Sequence, residues 1–152
     1  MKLKLLLAIL FLSTAAHATH LLGGEITWEC LSNGKYKFTI TIYKNCTADF
    51  YNPSTQAINT NAGATIPCTK IFSQFLPSDC GILFPDSADP FYEGCVMQVV
   101  YQSNPITLTG TPPPGGWYFT WNSAGRQNYL DNLLYPDAQG LTFRAFMYPY
   151  TT

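Results

Sequence analysis

Lys35-Tyr36-Lys37-Phe38-Thr39-Ile40-Thr41-Ile42-Tyr43-Lys44 is the stretch that settles the fold class. Tyr36, Phe38, Ile40 and Ile42 fall on one side of an extended chain, and Lys35, Lys37, Thr39 and Thr41 on the other. Period-two alternation over this length, rich in β-branched and aromatic residues, specifies a half-buried strand. Just upstream, Glu25 to Leu31 alternates in the same way, with Ile26, Trp28 and Cys30 inward and Glu25, Thr27 and Glu29 outward. Ser32-Asn33-Gly34 separates the two runs and supplies the turn chemistry of an antiparallel hairpin. That hairpin sets Cys30 opposite Tyr36. Cys46 then lies about 33 Å further along at ~3.3 Å per residue, well outside the ~7 Å between Cα atoms that a disulfide requires. A Cys30–Cys46 bridge is disfavoured.

Downstream the same alternation recurs in short pieces. Lys70 to Leu76 is a strand candidate, and Cys95 to Gln102 is another, with Met97, Val99 and Tyr101 on one side. Ile106 to Thr109 reads as a brief strand ending at Gly110. Trp117 to Asn122 sets Trp117, Phe119 and Trp121 against Tyr118, Thr120 and Asn122. Leu141 to Tyr150 closes the series, with Leu141, Phe143, Ala145 and Met147 against Thr142, Arg144, Phe146 and Tyr148. Between these runs, Thr47 to Ala64 is polar and reads as a long loop or weak edge strand, Pro77 to Gly94 as loop, and Thr111 to Gly116 as a rigid turn. Arg126 to Leu134 has room for one or two helical turns. Some seven or eight short strands with turn signals and at most one short helix predict an all-β, antiparallel β-sandwich, immunoglobulin-like or similar, with long loops.

The first eighteen residues carry a different message. Lys2 and Lys4 precede the apolar run Leu5 to Leu12, and Ala16-His17-Ala18 offers small residues for cleavage. This is the pattern of a Sec signal peptide over residues 1–18, leaving a single domain over 19–152. No run approaches the ~18 apolar residues of a membrane-spanning helix. Removing Lys2 and Lys4 leaves six basic against nine acidic residues, a net charge of minus three with no basic stripe, which argues against a nucleic-acid partner. Charged residues are only 11% of the chain and aromatics 15%, a mixture unlike that of disordered segments. All five cysteines, Cys30, Cys46, Cys68, Cys80 and Cys95, lie beyond the leader. In an oxidising compartment they read as disulfide partners, and the odd count leaves one over; the connectivity stays open. The strand pattern runs almost to Thr152, as expected of the N-terminal part of a longer multi-module protein.

Three segments together resemble a known family. They are His20-Leu21-Leu22-Gly23-Gly24-Glu25-Ile26-Thr27-Trp28-Glu29-Cys30; Tyr36-Lys37-Phe38 through Tyr43-Lys44-Asn45-Cys46; and Trp117-Tyr118-Phe119 with Arg126, Asn132-Leu133 and Leu141-Thr142-Phe143-Arg144-Ala145, then Met147-Tyr148-Pro149-Tyr150. This is similar to the N-terminal domain of large exported surface proteins of Bacteroidota, the gliding-motility-associated type. The resemblance implies further immunoglobulin-like or PKD-like modules downstream and a C-terminal sorting domain for type IX secretion. It also implies an adjacent Cys-Cys pair where this chain has Ala124-Gly125, followed by Arg126-Gln127. A partner lost there makes Cys30 the candidate free thiol and leaves Cys46, Cys68, Cys80 and Cys95 as disulfide candidates. Asp86-Ser87-Ala88 resembles the O-glycan acceptor of exported Bacteroidota proteins, which marks Ser87 as a modification candidate.

Reactive constellations are sparse. His20 is the only histidine after the leader and lies next to the new terminus, a poor place for the rigidly held base of a nucleophilic triad. No CxxC occurs, so zinc is outweighed by disulfides. Asp79, Asp86, Asp89 and Glu93 crowd one region without the spacing of an EF-hand loop. Glu25 and Glu29 point the same way from one strand, about 13 Å apart, and cannot face each other across a cleft as paired glycosidase acids do. Asn45-Cys46-Thr47 fits the N-glycosylation sequon, which a bacterial host would rarely use. The outward aromatics Tyr118, Phe146, Tyr148 and Tyr150 are the remaining candidates, for glycan or partner contact.

These readings predict no cofactor, no metal and no catalysis. The expected role is an exported surface domain, structural or adhesin-like, associated by resemblance with gliding motility or attachment. Its expected partners are downstream β modules, other surface proteins or polysaccharide. The runner-up is a carbohydrate-binding module of a larger secreted enzyme.

Overall fold

The computed structural model describes residues 21–45, 53–76, 96–124, 126, 133–135 and 139–148. The hairpin becomes β1 (Leu21–Cys30) and β2 (Tyr36–Asn45), in the register that its turn implied, with Cys30 opposite Tyr36. Gly34 closes the turn at φ 73°, a left-handed conformation that glycine adopts without penalty. Its N–H donates to Leu31 O at 2.9 Å, and Leu31 N donates to Lys35 O at 2.8 Å. The remaining strands are β3 (Thr55–Thr60), β4 (Thr65–Leu76), β5 (Val96–Ser103), β6 (Trp117–Ser123) and β7 (Leu141–Met147).

All seven join one antiparallel sheet in the order β1-β2-β5-β4-β3-β6-β7. Strands β5, β4 and β3 run as consecutive neighbours and β2 returns beside β5, a Greek-key arrangement. The sheet does not lie open. Phe38 on β2 packs against Phe119 on β6 with ring centroids 4.5 Å apart, although three strands separate them in the sheet. Trp28 on β1 also reaches Phe119, at 6.2 Å. Gly24 on β1 lies so near β7 that an added Cβ would fall 2.5 Å from the Phe143 ring. Beyond β6, Arg126 makes a parallel bridge to Leu21. The twist of one continuous sheet has therefore carried its two ends together into a nearly closed barrel. The two layers expected of a sandwich are its two halves.

Every strand sends inward residues to the common core: Leu21 and Ile26, Phe38, Ile58, Ile66 and Cys68, Val99, Phe119, and Phe143. Burying one such large apolar side chain contributes roughly 1.5–3 kcal/mol. Met97, Val99 and Tyr101 of β5 all face the core, as their spacing predicted.

Three expectations are corrected. The polar run before Ala64 contains β3, which is no edge strand but lies between β4 and β6. Its one large apolar residue, Ile58, is completely buried opposite Ile66, and pairing on both flanks makes the strand. Strand β4 begins at Thr65 rather than Lys70 and runs through Pro67. There it pairs with β3 at Ala57, while the ladder to β5 starts only at Cys68, so one flank is open and the missing N–H is tolerated. Ile106 forms an isolated bridge, exchanging bonds of 2.8 and 2.9 Å with Tyr36, and no strand. The helical turns expected over Arg126–Leu134 fall mostly on residues 127–132, which lie outside the described residues; Arg126 itself is bridged to Leu21. Among the described residues no helix is long and apolar enough to cross a membrane.

Candidate functional site

Strands β6 and β7 place the candidate surface. Their inward rings are locked: Trp121 stacks on Phe143 with centroids 5.0 Å apart, both buried, and the Trp121 indole N–H donates to Gln56 Oε1 at 2.9 Å. With that face fixed, the pleat must turn the alternate residues outward. The register sets Tyr118 opposite Phe146, Thr120 opposite Arg144 and Asn122 opposite Thr142. Tyr118 is 36% exposed, Phe146 41% and Tyr148 68%.

The three rings touch in sequence. Tyr118 meets Phe146 edge to face at 6.5 Å, and Phe146 lies nearly parallel to Tyr148 at 6.1 Å. The Arg144 guanidinium sits over the Tyr118 ring, 5.1 Å from its centroid. A cation held this way at an exposed site gains about 0.5–1 kcal/mol. Beside it, Thr142 Oγ1 donates to Asn122 Oδ1 at 2.8 Å. Backbone bonds brace the row. Tyr118 N donates to Asn61 Oδ1 at 2.9 Å, while Asn61 Nδ2 donates to Gly116 O at 3.2 Å. Gly116 has φ 79° and so little room that a Cβ would stand 2.5 Å from Met147 O, which keeps the start of β6 tight against the end of β7.

The interior carries two ionisable groups of interest. Lys44 is buried at one end of the barrel, where burial first and the Lys70 charge second lower its amine below the ordinary 10.5. It lines a cavity of about 10 Å³ with Leu21, Ile42, Gln56, Val99, Tyr101, Trp121 and Ser123, room for about one water. Cys68 is wholly buried, and burial pushes its thiol up to about 11, so it stays protonated and unreactive.

Of the cysteines named from sequence, Cys30 is an exposed thiol at the end of β1 and Cys68 a buried thiol on β4. Cys46, Cys80 and Cys95 lie outside the described residues, as do Ser87, Tyr150, His20, the leader 1–18 and the acidic region Asp79, Asp86, Asp89 and Glu93. Glu25 and Glu29 are both exposed on β1. Among the described residues no group of three His, Cys, Asp or Glu side chains gathers as a metal site.

No protein-family model, curated protein or solved structure matches this chain. The surface must be read from its own chemistry. Sequence alternation had placed Asn122, Thr142 and Arg144 on the same side as Tyr118, Phe146 and Tyr148, but had not named them as contact residues. The signal was present: Arg144 is the only charged residue in β6 or β7 and falls on the outward phase. A second apolar area, with Ile71, Phe72 and Phe75 all about half exposed, lies on β4 beyond the bulge between Lys70 and Phe72.

Proposed function

We propose that this chain is a non-catalytic, exported domain of the cell surface or extracellular space, structural or adhesin-like, that works through its exterior. The observation that carries the reading is the outward row of Tyr118, Phe146 and Tyr148 with Arg144, braced on a barrel whose interior is filled by its own side chains. The ionisable groups inside support it: Cys68 is kept protonated, and the cavity beside Lys44 takes about one water. The leader over residues 1–18 supports export by the Sec route. The resemblance to gliding-motility-associated surface proteins supports a role in motility or attachment beside downstream β modules. A carbohydrate-binding module of a larger secreted enzyme is the second reading, favoured by the exposed rings flanked by amide, hydroxyl and guanidinium groups.

Two measurements test this on the native protein. N-terminal sequencing should begin at Thr19, and protease added to intact cells should trim the domain. A chain that retains Met1 or stays protected on intact cells overturns export. Turnover of any substrate by the purified chain overturns the non-catalytic part.

A further inference from the structure

We infer that the outer face of β6 and β7 binds an acidic polysaccharide, the rings taking the sugar faces and Arg144 taking the carboxylate. This inference deepens the adhesin reading and rests on it. Its first ground is the composition of the face. Along the outward positions run Asn122 and Thr142, then Arg144 opposite the buried Thr120, then Tyr118 and Phe146, then Tyr148. No Leu, Ile, Val or Met stands among them. A pyranose offers an apolar C–H face rimmed by hydroxyls, and this surface offers rings beside amide, hydroxyl and guanidinium groups. The exposed area on β4 differs in having Ile71 beside Phe72 and Phe75.

The second ground is shape. Phe146 and Tyr148 are within 14° of parallel, yet their centroids are 6.1 Å apart. The two rings follow each other along the end of β7, and Tyr118 extends the row on the Phe146 side.

The third ground is charge. Arg144 is the only side chain on β6 or β7 that is charged at neutral pH, and no carboxylate pairs with it among the described residues. Its contact with Tyr118 is to the ring face, which leaves the planar fork of N–H donors for a bidentate carboxylate. A sugar acid stacked on the row brings its carboxylate to this group. A neutral glycan would leave the cation unused.

The experiment uses the purified full chain with three polyuronates, polygalacturonate, alginate and hyaluronan, each compared with its carboxyl-reduced form. The expected result is binding to at least one acidic polymer, weakened by salt as a charge contact at the surface must be. Arg144→Gln should erase the preference for the acidic form. Tyr148→Ala should weaken binding to both forms roughly tenfold, as loss of one stacking ring implies. Both side chains are exposed, and an unchanged strand signal in circular dichroism confirms that the variants fold. Equal affinity for acidic and reduced polymers, indifference to Tyr148→Ala, or no binding to any of the six overturns the inference. So does self-association, or capture of a protein, that depends on Tyr148 in place of glycan binding, since the face is then a protein interface. If the Thr19 start and surface exposure hold in the same preparation, such a failure removes the ligand and leaves the export reading standing.

Discussion

Replacing Gly24 by alanine tests whether the two ends of the sheet truly meet. Gly24 belongs to β1 and Phe143 to β7, the first and last strands in sheet order. An added methyl group would stand 2.5 Å from one ring carbon of Phe143, 2.6 Å from another, and against Thr41 O. The Thr41 oxygen is backbone of β2, the hydrogen-bonded partner strand, and cannot rotate away. Phe143 is itself pinned by its stack on Trp121. Overpacking a site with no give costs about 1–3 kcal/mol, and two immovable neighbours place Gly24→Ala in the upper part of that range. At an unfolding entropy of about 2 cal/mol/K per residue, each kcal/mol lowers the melting temperature of a domain this size by roughly 4 °C, so a fall of about 8–12 °C is expected. Gly23→Ala is the control, because nothing lies within 4 Å of its added Cβ. It should change stability by no more than about 0.5 kcal/mol. Thermal unfolding followed by far-ultraviolet circular dichroism reads both. Equal melting temperatures for the two variants would refute closure of the barrel between β1 and β7.

Phe119→Ala should be worse still, since this completely buried ring touches Phe38 and Trp28 from the other half of the sheet; a loss of about 3–5 kcal/mol should appear in denaturant titration, and a loss near 1 kcal/mol would mean that the halves do not share a core. Lys44 supplies a pH dependence. Its folded value is lowered while the unfolded one stays near 10.5, so the folded state releases this proton first and the Lys44 contribution to stability rises with pH across that window. The stability of the parent should rise relative to that of Lys44→Met as pH climbs towards 10.5, and a pH-independent difference would contradict the burial. Cys68 acts in the opposite sense: with its thiol raised from 9.0 to about 11, its contribution is constant below pH 9 and lost between those values. Alkylation of the native chain at pH 8 should label Cys30 and spare Cys68, which should react only after unfolding; rapid native labelling of Cys68 would show that the core opens there.

The hairpin's two strands were legible, because alternation and an Asn-Gly turn act over a few neighbouring positions, although Trp28 and Cys30, expected inward, are exposed at the end of β1. Its register followed from the turn alone, down to Cys30 opposite Tyr36. The outward phase of Tyr118, Phe146 and Tyr148 was legible for the same reason. Strand β3 was not, because a single Ile58 gives no periodic signal and the strand exists through ladders to β4 and β6, both distant in sequence. Nor could the sequence show that Arg144 lies over Tyr118, a contact between strands separated by the segment from Ala124 to Gly140.

By itself, then, the sequence determined an antiparallel all-β chain and the side of each strong strand that meets the core. Both are consequences of local backbone geometry, in which neighbouring side chains point oppositely. Tertiary structure alone decided that the layers are one sheet curled until β1 meets β7, with Gly24 giving the room. It also decided which outward residues stand together as a surface. Strand order and closure depend on twist summed over seven strands and on contacts between residues far apart in the chain, and no local pattern encodes either.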